Sequence, residues 1–134
     1  MILALGEVPY IRVAFLEVET RVAVLGLTFK ENIPDIRNSR MPDILSELSN
    51  FDIQASTSDP KVTAQDAMHE YGVTLVDWKS LENLDALVLA VPHAEFINNR
   101  DALFARLNPR GVLIDVKSAI DPSAVPKGLT YWSL

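Results

Sequence analysis

The sequence contains no cysteine, which excludes disulfides, thiolate metal sites and a cysteine nucleophile within these 134 residues. Histidine is almost as scarce. His69 and His93 stand far apart in the chain, so a histidine-rich metal site is not expected. Positive charge is in deficit: 12 Lys and Arg against 18 Asp and Glu leave a formal charge of −6. An acidic chain repels a phosphodiester backbone, so nucleic acid is not an expected partner. A small phosphate ligand is still compatible, since it needs only one or two local cations and some backbone N–H groups. No apolar run approaches the roughly 20 residues that cross a bilayer. Residues 1–14 lack the basic n-region and small-residue cleavage site of a signal peptide. No membrane association and a cytoplasmic location are therefore the expectations. The GxGxxG spacing of a dinucleotide fingerprint is absent as well.

What is present suits one globular domain, with 49% hydrophobic and 22% charged residues. Residues 21–27 (RVAVLGL) read as a short buried strand, and the polar, Pro34-interrupted stretch 28–37 as a loop. Asn38 or Ser39 is placed to cap a helix running to about Ser49, because Met41, Ile44, Leu45 and Leu48 share one helical face. Residues 51–55 alternate as a second strand, which Asp59-Pro60 ends. A helix over 61–71 closes at Gly72, a third strand is expected at 73–76, and Ser80 is read as capping a turn over 81–84. Residues 86–91 (ALVLAV) are apolar throughout, as a strand covered on both faces requires. A helix over 99–107 with Asn108-Pro109 as its stop, a strand at 112–115 and a last one at 129–132 complete the pattern.

This alternation predicts an α/β fold: a Rossmann-like, doubly wound, mainly parallel sheet flanked by helices. The strands 21–27 and 86–91 are expected side by side at the switch point, with the ligand site beyond the carboxyl ends of the strands. The apolar arm 1–20 has no assignment by pattern.

The loop 26–39, GLTFKENIPDIRNS, sits at such an end. An aromatic can cover a base or sugar ring, while a Lys and an Arg can neutralise phosphate oxygens beside a helix start. By spacing alone, a solvated loop with a surface ion pair competes with this reading. The residues themselves, however, resemble the start of the C-terminal domain of UDP-glucose/GDP-mannose dehydrogenases. Three later segments agree in order: Ser58-Asp59-Pro60, where Ser replaces the usual aromatic; 85–96 (DALVLAVPHAEF); and 111–117 (GVLIDVK). The wording TFKEN and the Lys of DVK are most similar to the UDP-N-acetylhexosamine dehydrogenase branch.

The resemblance implies that 21–134 is the UDP-sugar-binding domain and that 1–20 is an N-terminal arm or the remnant of a linker helix. It implies that Phe29, Lys30 and Lys117 contact UDP or a UDP-sugar, and that Arg37 reaches across to NAD bound by another domain. In the complete enzyme a sugar C6 alcohol is oxidised to a carboxylate in two hydride transfers, through a thioester on a Cys. With no cysteine and no GxGxxG, this chain alone is expected to hold no catalytic residue, bind no NAD and be inactive in polysaccharide precursor synthesis. Its expected partners are UDP or a UDP-sugar, with a homodimer or a separate NAD-domain chain as assemblies.

The remaining polar residues receive structural readings. His93 is taken as a loop histidine rather than an acid–base catalyst, and His69 as a dipole-compatible surface residue. Asp35 is read as orienting Arg37 or capping the helix, Asp59 as capping after Pro60, and Trp78 and Trp132 as packing residues. A rival for the whole chain is an oligomerisation or interaction domain, or a decayed fragment, with no ligand.

Overall fold

The structure, a computed structural model, describes residues 20–134 in full and, before them, the backbone of two strands. These are β1 (Ile2–Leu5) and β2 (Val8–Arg12), which pair antiparallel. A strand thus stands at Ile2–Leu5, where a helix remnant was one of two expectations. Residues 1, 6, 7 and 13–19 of the arm lie outside the described residues.

The domain proper is a five-stranded, wholly parallel sheet in the order β4-β3-β5-β6-β7. The strands are β3 (Val22–Leu25), β4 (Ser56–Ser58), β5 (Leu84–Leu89), β6 (Leu107–Asp115) and β7 (Thr130–Ser133). The central pair is β3 and β5, in register from Val22 opposite Ala86 to Leu25 opposite Leu89, as the apolar runs predicted. Alternation along each strand serves two separate cores. Val22, Val24, Val88 and Ile114 face helices α1 (Met41–Asn50) and α2 (Ala64–Tyr71). Ala23, Leu25, Leu89 and Leu113 face the short helices α3 (Ala94–Ile97) and α4 (Arg100–Phe104) and the 3-10 turn Trp78–Ser80. Helices on both faces make the fold the Rossmann-like α/β class expected from sequence.

Local boundaries differ where tertiary contacts override pattern. The strand expected at 51–55 begins at Ser56, since Asp52 turns the chain in a left-handed conformation (φ 60°) and pairing with β3 starts at Ala23–Ser56. The strand expected at 73–76 reduces to a single parallel bridge, Thr57–Leu75. The turn expected over 81–84 lies earlier, because Asp77, not Ser80, accepts the capping N–H, from Lys79. Asn108-Pro109 does not stop a helix. It lies inside β6 at an irregularity, where pairing with β5 skips from Leu107 to Val112, so the missing proline N–H breaks no ladder bond. α2 is capped by Thr63, whose Oγ1 accepts from Asp66 N–H at 3.0 Å, and closes at Gly72 (φ 65°). Trp78 packs in the core, edge-on to Phe96 at 5.5 Å, but Trp132 is 42% exposed on the edge strand β7, so the packing reading fails there.

Candidate functional site

Gly26 ends β3 and turns the chain toward the sheet rim. Its φ of 100° suits glycine, and a Cβ there would lie 2.5 Å from that of Val91. No side chain fits between the ends of β3 and β5 at this point. Beyond them, with the end of β6, opens a cleft of about 420 Å³. Its inner wall is apolar: Met41, Ile44, Ala90, Val91 and Val116. Its mouth carries Phe29, Lys30 and Glu31 from the loop after β3, and Lys117 from the loop after β6. The three residues expected to touch a UDP-sugar are thus brought together. Arg37 does not line the cleft; it is solvent-exposed and bound by Asp35 through Nε at 3.0 Å and Nη2 at 2.9 Å. Asp35 also accepts the Arg37 backbone N–H at 2.9 Å, so it orients Arg37 rather than capping the helix. The Arg37 hydrogen bonds hold the Asp35 carboxyl at a pKa of about 2.

The loop bearing Phe29 and Lys30 is pinned by a buried polar cluster. Asp59, at the end of β4, accepts the backbone N–H groups of Leu27 and Thr28 on Oδ2 and that of Lys61 on Oδ1. It does not cap the helix as expected: Thr63 caps α2, and the Lys61 N–H bond closes the turn before it. His93 Nε2 lies 2.9 Å from the same Oδ2 and 3.2 Å from Thr28 Oγ1. His93 Nδ1 lies 2.9 Å from the backbone N of Asn32. Since an amide N–H can only donate, Nδ1 accepts and the proton sits on Nε2. Asn32 in turn is left-handed (φ 63°), and its Oδ1 accepts the N–H of Ala94 at 2.7 Å. One carboxylate, one imidazole and one amide thus tie together the ends of β3, β4 and β5. Burial disfavours the Asp59 carboxylate, but hydrogen bonds from His93, Leu27 and Lys61 outweigh it and keep its pKa below the ordinary 3.8.

The charges that line the cleft are side chains of both signs, Lys30, Arg40 and Lys117 against Glu31 and Asp43. The N–H groups at the start of α1 are already engaged: Met41 donates to Ser39 Oγ at 3.1 Å, Pro42 has none, and Asp43 donates to the Arg40 carbonyl at 3.1 Å. The assistance expected from helix amides is therefore reduced to the helix dipole, which Asp43 in the first turn opposes. Lys30 makes no ion pair with the described residues. Lys117 Nζ lies 2.9 Å from Glu31 Oε2, and this hydrogen bond lowers the Glu31 pKa. No group of three or more His, Asp or Glu suited to a metal ion occurs among the described residues. Sequence reasoning did not find Glu31 or the His93–Asn32 link; both depend on pairings across 60 or more residues that no local pattern signals.

An arrangement of this kind can take a flat ring against Phe29 and an anionic group between two lysines. Comparison with known proteins identifies the family. Residues 23–122 match the UDP-glucose/GDP-mannose dehydrogenase family, UDP binding domain. The chain is 46% identical over 102 residues to a UDP-N-acetyl-D-glucosamine 6-dehydrogenase of Pseudomonas aeruginosa, covering 75% of this chain and 24% of that protein. It is 32% identical over 113 residues to protein CapL of Staphylococcus aureus, covering 84% and 27%. The structure of a UDP-D-ManNAc dehydrogenase from Pyrococcus horikoshii superposes with a TM-score of 0.65 and 28% identity, over 86% of this chain and 25% of that one. The chain spans about a quarter of the length of these two curated relatives. With the motifs, the parallel sheet and the cleft in agreement, this chain belongs to the UDP-glucose/GDP-mannose dehydrogenase family, of which it contains the UDP binding domain.

Proposed function

We propose that this chain is the nucleotide-sugar-binding module of an NAD-dependent UDP-sugar 6-dehydrogenase acting in polysaccharide precursor synthesis, with a UDP-N-acetylhexosamine as its ligand class. The observation that carries the reading is the convergence of Phe29, Lys30 and Lys117, from loops after two different strands, on one apolar-walled cleft. The ring of Phe29, 60% exposed at the mouth, offers a face to the uracil or sugar. Lys30 and Lys117 approach a diphosphate from opposite loops, each as a compact ammonium donor. Arg37, exposed and paired with Asp35, is the residue we assign to contact an anion on another body, an NAD that is bound elsewhere. That cofactor, when bound, accepts the hydride. The residues of this chain bind and orient the sugar nucleotide.

No thiol nucleophile comes from these 134 residues, so the chain by itself is expected to reduce no NAD in the presence of any UDP-sugar. Oxidation falls to an NAD domain, in a longer chain or a separate subunit, in the cytoplasm, and a homodimer is the other assembly to test. Calorimetric titration of the purified chain with UDP, and with ADP as control, tests the binding reading. Saturable UDP heat exceeding that of ADP supports it; equal or absent heat for both overturns it for the isolated chain.

A further inference from the structure

Resting on the UDP-binding reading, we infer that Glu31 holds Lys117 in the cleft as an internal stand-in for a ligand phosphate, and so limits how tightly the site takes a diphosphate. The two residues are 86 positions apart and meet only because the loops after β3 and β6 share the cleft mouth. Their charged atoms are 2.9 Å apart, in the cleft that a diphosphate would fill. A carboxylate and a phosphate oxygen compete for the same ammonium.

Exchange between them is feasible for two reasons. The pair is 37% and 39% exposed, so it is screened and weak. The backbone around Glu31 is also held on both sides: the Lys30 carbonyl accepts from Thr28 Oγ1 and Ile33 N–H, and the Asn32 N–H donates to His93. The latch therefore opens by rotation of one side chain, with the loop staying in place. Glu31 turns to solvent and Lys117 passes to the ligand. Lys30, without an ion pair among the described residues, needs no such release.

The test is a double-mutant cycle read by UDP titration on the wild-type chain, Glu31→Gln, Lys117→Ala and the double variant. Glu82→Gln, on an exposed residue outside the cleft, serves as a charge control. The expected result is UDP binding about two- to fivefold tighter in Glu31→Gln, the range for releasing an exposed ion pair. The gain should disappear in the Lys117→Ala background and be absent in Glu82→Gln. A gain of equal size without Lys117 overturns the latch in favour of general repulsion, as does an equal gain in the control. Weaker UDP binding in Glu31→Gln also overturns it and makes Glu31 a ligand acceptor. Unchanged UDP affinity in Glu31→Gln overturns the latch alone. No UDP binding by either the wild type or Glu31→Gln overturns the UDP reading, and the latch with it.

Discussion

The imidazole of His93 and the carboxylate of Asp59 meet at 2.9 Å with both side chains wholly removed from solvent. The other ring nitrogen accepts the Asn32 N–H, so this arrangement requires the neutral Nε2–H tautomer. Two-dimensional ¹⁵N NMR of the imidazole at pH 7 should show that tautomer, and a doubly protonated ring would contradict the geometry. His93→Ala takes the acceptor from the Asn32 N–H, removes one of the donors to Asp59 Oδ2, and empties a buried site against Phe96. Its expected cost is about 2–4 kcal/mol, measurable as a fall in the urea midpoint.

Acid should act on the same cluster through Asp59. Its folded pKa lies below its ordinary value of 3.8, with burial opposing and the hydrogen bonds of His93, Leu27 and Lys61 prevailing. A carboxyl with a depressed folded pKa contributes stability that is present above the unfolded pKa and is lost as pH falls through the folded one. The Tm is therefore expected to hold between pH 7 and about 5 and to drop below about pH 4. Asp59→Asn should lower the Tm at pH 7 and flatten the acid limb. An acid limb as steep as that of the wild type would exclude Asp59 as its source.

Gly26→Ala combines two penalties, a φ of 100° and a Cβ placed 2.5 Å from that of Val91. A loss of about 2–4 kcal/mol is expected in chemical denaturation. Because Val91 forms part of the cleft wall, UDP affinity should fall in the same variant at temperatures where it remains folded.

The two kinds of cation should separate in titrations of the isolated chain. Lys30→Ala is expected to weaken UDP by about 1.5–3 kcal/mol, the range for a charge-assisted contact. Arg37→Ala, outside the cleft and paired with Asp35, should leave UDP binding unchanged. Equal losses from both would place Arg37 in the uridine-nucleotide site and remove it from the role of reaching NAD.

The order of elements was legible because the buried strands announce themselves: within the expected 21–27 and 86–91, Val22–Leu25 and residues 86–91 are apolar at every position, as a two-faced sheet demands. Their adjacency followed from the doubly wound rule alone. What the pattern misplaced were short or irregular pieces. The alternation in 51–55 is real, with Ile53 buried, yet ladder pairing waits until Ser56, a matter of register with β3 that no local sequence specifies. Pro109 reads as a breaker, but a skip in pairing accommodates it within a strand.

The site divides the same way. Phe29, Lys30 and Lys117 were found through motifs at strand ends. Asp59 was seen only as a cap, since its bonds to Leu27 and Thr28 cross from β4 to β3. Glu31 was not singled out; its pairing with Lys117 follows from the fold.

The shared carboxylate at the rim has a kinetic consequence. The amides of Leu27, Thr28 and Lys61 all end on Asp59, and that of Asn32 is joined to it through His93. They come from two separate stretches of chain, yet none can lose its acceptor without disturbing the others. Their hydrogens should therefore exchange with solvent through one common opening, at a single free energy and with one dependence on denaturant. In exchange experiments the rim will behave as one cooperative unit, although no helix or strand contains it.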